Sequence, residues 1–274
     1  MKPTFETYAA QKDEALDLAL GAALLARDSN PDVDALAVVE ELRGLGHAFG
    51  AGVLAGESLE TQAKALSDYM YGELRFRGNR ESYYDVRNSY LPDVLTRKLG
   101  IPITLALVHA EIAKIAGVRA HGVSFPGHYL VRLDTEDEVL FIDPFEAGRP
   151  VTATDLQAML VKTGHEGELN AHLLAPASTR ATLVRLLVNL KWAYALRHEW
   201  VRVLLTLDRI LALVPDASVV LRERAHIALQ LGSWITAKDD LLRLRVLEPH
   251  APDLAQIQAQ VERAEKTGGP LVLN

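Results

Sequence analysis

The chain contains no cysteine, so acid–base or nucleophilic chemistry would have to rest on His, Asp, Glu, Thr, Ser or Tyr. The sharpest pairing of such residues lies within 100–145. His128 follows Pro126-Gly127, and Asp143 precedes Pro144 at the end of an apolar run. An imidazole beside a carboxylate can hold one ring tautomer and act as a general base near neutral pH. Residues 121–125, 129–133 and 139–142 are short runs rich in Val, Leu, Ile and aromatics. The acidic tip 134–138 separates the last two, as an exposed hairpin loop does. A hairpin symmetric about Thr135 and Glu136 sets His128 directly opposite Asp143. Opposed side chains share one sheet face, with Cβ atoms roughly 4.5–5.5 Å apart, whereas a one-residue slip puts them on opposite faces.

Those strands need a scaffold. Residues 103–116 are apolar almost all round, interrupted by His109, Glu111 and Lys114, which predicts a core helix. Gly117 stops it, where a residue without Cβ tolerates a left-handed cap. Upstream, helical spacing covers 6–27, 32–46 and 58–74, with Ser58 as a cap, and 47–56 reads as a Gly-rich linker or distorted helix end. A polar, aromatic loop at 76–89 leads into a short helix over 90–98. After Asp143, residues 146–150 read as a turn and 152–161 as a helix. His109 and His121 read as satisfied, partly buried histidines rather than ligands. No HExxH, paired CxxC or phosphate-cradling Gly loop occurs, so neither a metal nor a cofactor is expected.

A buried helix, then G-[IVL]-x-[AR], then Gly-His on a strand, then Asp-Pro at the next strand's end, is similar to the transglutaminase-like core, a papain-type arrangement with a Cys–His–Asp triad. More closely, FRGN, YYD, NSYLPDVLTRKLGIPITLALVHAEIAKIAG, GVSFPGHYLVR and IDPF together resemble the SirB1 family. That family joins a transglutaminase-like domain to C-terminal tetratricopeptide repeats. The resemblance implies an α+β, papain/transglutaminase-like fold: a buried helix on a small antiparallel sheet, with N-terminal helices and an all-α tail. It also implies a nucleophile at the helix N-terminus, where this chain has Pro102, Ile103 and Thr104. Thr104 is the hydroxyl there, and two readings fit it: a nucleophile activated by His128, or a side chain that caps or back-bonds to its own helix. His128 and Asp143 are either a retained structural pair or a working dyad. In the SirB1-like reading the 76–89 loop faces the cleft mouth, with Asn79, Tyr84, Asp85 and Asn88 as its polar, partner-binding lining. The alternative for Asp85 and Asn88 is turn and capping hydrogen bonding.

From about residue 178 the pattern is helical and repeats. Trp200 and Trp234, Leu207 and Leu241, Leu213 and Leu247, and Pro215 and Pro249 each recur after 34 residues, the tetratricopeptide period. Two repeats bury too little alone, so a final helix at 252–265 is expected to cap them. The expected organisation is a transglutaminase-like domain over 1–162, a linker over 163–177 and helical repeats over 178–274.

Composition narrows the function. The 274 residues are 49% hydrophobic and 24% charged, with a formal net charge of −7, which argues against charge-driven nucleic-acid binding. No apolar run is long enough to span a bilayer, and the start of the chain lacks a basic-then-apolar leader pattern, so a cytoplasmic protein is expected. Two functions follow. One is a non-catalytic factor that holds a protein or peptide in its cleft or repeat groove. The other is a cryptic amide hydrolase or acyltransferase in which His128 and Asp143 activate Thr104 or water.

Overall fold

A computed structural model describes residues 3–164 and 167–267. The chain forms two compact units: Gln11–Leu186, and Met1–Ala10 together with Leu187–Asn274. Residues 165 and 166 of the expected linker lie outside the described residues.

The first helix of the chain, α1 (Phe5–Ala9), belongs to the second unit. The first unit begins with a 3₁₀ turn (Asp13–Ala15), then α2 (Leu18–Leu25), α3 (Ala35–Phe49) and α4 (Leu59–Ser67). The single helix expected over 6–27 is therefore broken. The Asp17 side chain accepts the Leu20 N–H at 2.9 Å, and a residue that caps a helix this way starts it anew. Helix α4, capped by Ser58 as expected, runs on into a π-helical turn (Asp68–Glu73). Two short parallel strands, β1 (Arg77–Gly78) and β2 (Leu99–Gly100), flank α5 (Leu91–Arg97).

Helix α6 (Pro102–Ile115) is the core. Pro102 sits in its first turn, where a missing N–H costs nothing, and ten of its residues from Pro102 to Ala113 are buried. It packs on α3 and on two strands, β3 (Ala120–Val123) and β4 (Leu130–Asp134). With β5 (Val139–Asp143) and β6 (Arg149–Val151) these make an antiparallel sheet in sequence order, and α7 (Ala153–Lys162) follows. The β4–β5 register differs by two residues from the expected one: Val131 pairs with Ile142 and Asp134 with Val139. The turn closes over four residues because the Thr135 hydroxyl accepts the N–H groups of Asp137 and Glu138. An even displacement keeps every side chain on its face. His128 thus precedes β4 and reaches Asp143 diagonally, not from directly opposite.

Helix α8 (Thr179–Leu196) contributes residues to both units, and the second continues with α9 (Trp200–Leu213), α10 (Ser218–Gln230), α11 (Trp234–Leu247) and α12 (Leu254–Thr267). The 34-residue offset holds in the backbone. The residues before α9 and α11, Glu199 and Ser233, have φ/ψ of −85°/63° and −87°/66°. One residue earlier, His198 at φ 56° takes the left-handed place that Gly232 takes at φ 80°. Leu221, Ala225, Ala228, Ala237, Leu241 and Leu244 form the core of these hairpins. Arg224 forks between Asp208 and the buried Asp240. Among the described residues no helix is long and apolar enough to cross a membrane.

Candidate functional site

The N-terminus of α6 is closed by hydrogen bonds. Thr104 Oγ1 accepts the Ile101 N–H at 3.1 Å and lies 2.8 Å from the Asn88 carbonyl and 3.1 Å from the Ile101 carbonyl, to which its proton is given. The side chain is 2% exposed. This is the capping and back-bonding arrangement, and among the described residues no hydrogen bond joins Thr104 to His128.

The 76–89 loop is organised by the same web. Asn88 is fully buried; its Nδ2 donates to the carbonyls of Ser82 and Tyr83 at 2.8 and 3.1 Å, and its Oδ1 accepts from Asn79 Nδ2 at 3.0 Å. Asn79 Oδ1 in turn accepts the Ser82 N–H at 3.1 Å. Asp85 accepts from Arg87 and Arg97. Burial works to raise its pKa, but those hydrogen bonds and positive charges outweigh it and hold the carboxyl below its usual value. Of the four residues expected to face a partner, Asn79, Asp85 and Asn88 are thus engaged internally, and Tyr84, 56% exposed, is the one with a free surface. None of the four lines the cavity beside His128. The loop meets the site through Phe145. Its ring packs edge-on to Tyr83 and lies under the Arg80 guanidinium. Gly78 is required there, since a Cβ would stand 2.5 Å from that ring.

His128 and Asp143 do come together. Nε2 of His128 lies 2.9 Å from Asp143 Oδ2. Yet that nitrogen, itself buried, has no hydrogen-bond partner, so its N–H axis points away from the oxygen. The contact is close but unaligned. Asp143 is 2% exposed, and its Oδ1 accepts the N–H groups of Phe145 and Glu146 at 2.9 and 3.3 Å, capping the 3₁₀ turn Pro144–Glu146. His128, 21% exposed, opens on a cavity of about 400 Å³. Gly127, Arg149, Met159, Lys162 and Thr163 also line it. The sequence offered no sign of the last four, because they come from β6 and from the end of α7, which no motif ties to His128. Gly127 has φ 69°, and a Cβ there would collide with Thr163 Cγ2 at 2.4 Å. The turn before His128 therefore needs glycine for its conformation and for its fit under α7.

Behind the pair lies a second link that sequence reading missed. Tyr71, from the π-helical turn, places its hydroxyl 3.3 Å from His109 Nδ1. Burial pushes the Tyr71 hydroxyl far above its usual range, and the Asp143 charge adds to the effect. His109 is buried, as expected, but not satisfied: its Nε2 has no partner. Burial pulls its pKa down to about 4. His121, by contrast, is exposed beside Asp134.

A core helix feeding an antiparallel sheet, with a histidine and an aspartate meeting at its edge, defines a transglutaminase-like fold, and the transglutaminase-like superfamily matches residues 36–188. The chain is 38% identical over 264 residues to a UPF0162 protein of Xylella fastidiosa, covering 94% of each. It is 30% identical to a UPF0162 protein of Vibrio cholerae, covering 90% of this chain and 92% of the other. Mouse F-box only protein 21 is 30% identical over 220 residues, which are 71% of this chain and 33% of that one. The chain belongs to the UPF0162 family of the transglutaminase-like superfamily. No solved structure matches it.

Proposed function

We propose that this is a SirB1-type cytoplasmic protein, a transglutaminase-like domain followed by tetratricopeptide-like repeats, that holds a protein or peptide without cutting or joining it. The observation that carries the reading is the state of Thr104. Its proton goes to backbone carbonyls and its side chain is sealed. The hydroxyl that does line the His128 cavity, on Thr163, donates to the Leu160 carbonyl at 2.7 Å. The chain has no cysteine, and among the described residues no activated nucleophile faces the imidazole. His128 then serves as a polar contact for a ligand, and Arg149 and Lys162 offer donors to backbone carbonyls or carboxylates in the same cavity. The 34-residue helical offset supports the repeat assignment. The extent of the match to F-box only protein 21 supports a module that also works inside longer chains.

Hydrolysis of p-nitrophenyl acetate and of a glutamine-containing peptide amide tests this reading. The wild type, His128→Ala and Asp143→Asn should all run at the buffer rate. A wild-type rate on the order of 10²-fold above His128→Ala would establish general-base catalysis by that ring and overturn the binding reading in favour of a water-activating hydrolase.

A further inference from the structure

The unit Gln11–Leu186 holds another cavity, of about 630 Å³, on a different part of α6. Asp17, Glu111, Lys114, Arg119, His121 and Thr179 are among its lining residues. Its volume falls in the range of small-molecule sites. Glu111 is the anomaly. Its side chain is 14% exposed, yet among the described residues no hydrogen bond reaches its carboxylate. The nearest cation, Arg43, stands with Nε 4.0 Å away, beyond hydrogen-bond range. Arg43 instead gives its Nη2 to Asp17. Burial and the Asp17 charge raise the Glu111 pKa, and the Lys114 and Arg43 charges oppose that rise without cancelling it. The carboxylate oxygens remain accessible from the cavity, where water or a ligand can donate to them.

The cations divide in the opposite sense. Arg119 and His121 lie 3.8 and 3.5 Å from Asp134 oxygens, whereas Lys114 makes no ion pair among the described residues. Glu111 and Lys114 stand three residues apart on α6, so their Cβ atoms are roughly 5–6 Å apart on one face. That places a carboxylate without a hydrogen bond beside a lysine whose charge acts on it without reaching contact distance, both opening on the same space.

We propose that this cavity binds the zwitterionic head of a free α-amino acid, whose ammonium donates to Glu111 and whose carboxylate accepts from Lys114. An α-amino acid carries both charges on one carbon, which suits two side chains that close together. The remaining volume, bounded by Leu16, Ala110 and Val118, takes the side chain. This site is separate from the His128 cavity and stands or falls independently of it.

The test titrates the full chain with L-leucine, with 3-methylbutylamine (leucine without its carboxylate) and with 4-methylpentanoate (leucine without its ammonium), following backbone amide shifts of Ala110, Gly122 and Ala177. Leucine should give saturable shifts there below about 10 mM, and each truncated analogue should bind at least about tenfold more weakly. Glu111→Gln should weaken leucine about tenfold. Should that variant fail to fold, the exposed Lys114→Met substitution should do the same. Three results overturn the proposal: no saturable shift with leucine, equal binding of 4-methylpentanoate, or shifts confined to Gly127, His128 and Thr163.

Discussion

At the N-terminus of α6, Thr104, Asn88 and Asn79 saturate one another and the surrounding backbone with hydrogen bonds and leave almost no surface. At the sheet edge, His128 and Asp143 approach to 2.9 Å without an aligned hydrogen bond and open on a cavity. The two ends would have to cooperate in a nucleophilic enzyme, one supplying the attacking atom and the other the base. Here the first has been turned into structure while the second keeps unused polar capacity beside free space. A saturated polar cluster holds a fold together, whereas an unsaturated one beside a cavity is available to a ligand.

The largest expected effect falls on the saturated end. Asn88→Ala strands the carbonyls of Ser82 and Tyr83 and the amide of Asn79. Each buried group left unpaired costs about 1–3 kcal/mol, so a loss of about 4 kcal/mol is expected, read from the urea midpoint at unchanged slope. A loss under about 1 kcal/mol would break the comparison, because the web would then not be holding the loop.

Next in size is a pH effect from His109, whose ring meets the Tyr71 hydroxyl in the core. Its folded-state pKa is about 4 against an ordinary 6.5. Below pH 6.5 the unfolded chain takes up a proton that the folded chain refuses until about pH 4. Stability from this residue is therefore complete above pH 6.5 and drains away as pH falls toward 4, by up to about 3 kcal/mol. Urea melts at about pH 7.5, 5.5 and 4.5 should register that slope, and His109→Gln should flatten its part of it.

How much of this was legible in the sequence depends on the range of the forces involved. The core helix, the strands and the helical period are local patterns, and they appear nearly where periodicity places them. Capping by Asp17 broke one long helix into two, because a single side-chain bond overrode an apolar spacing that ran through it. The hairpin register moved by two residues on the strength of the Thr135 hydroxyl, but parity kept His128 and Asp143 on one face. The cavity walls were not legible: Arg149, Lys162 and Thr163 reach His128 through tertiary packing alone. Nor was the sealing of Thr104, which depends on a carbonyl 16 residues away in sequence.

Thr104 sharpens the comparison with a smaller effect. Thr104→Val leaves the Ile101 N–H and the Asn88 carbonyl without their partner, for a loss of about 2 kcal/mol, while Thr104→Ser should keep both bonds. Thr104→Cys asks the question chemically. A thiol sealed at that helix end should react with Ellman's reagent on the order of 10²-fold more slowly than the same thiol in urea. Rapid labelling would mean that this end is open, and the nucleophile-free reading would lose its support.

The smallest effect is expected where an active dyad would be most sensitive. His128→Ala removes an unaligned contact and leaves Asp143 Oδ1 still holding the Phe145 and Glu146 N–H groups. Stability should change by less than about 1 kcal/mol, because no aligned hydrogen bond is lost. Asp143→Asn, which keeps an oxygen able to cap that turn, should be similarly mild, whereas Asp143→Ala should cost about 1–2 kcal/mol by uncapping it. The ordering of these three separates two roles for the carboxylate. If His128→Ala and Asp143→Asn each cost about 2 kcal/mol or more, the pair is a structural ion bridge, and the sheet edge is bound into the fold no less than the end of α6. If only Asp143→Ala is costly, the aspartate's structural work is done by Oδ1 alone, and Oδ2 with the imidazole remains free for whatever enters the cavity.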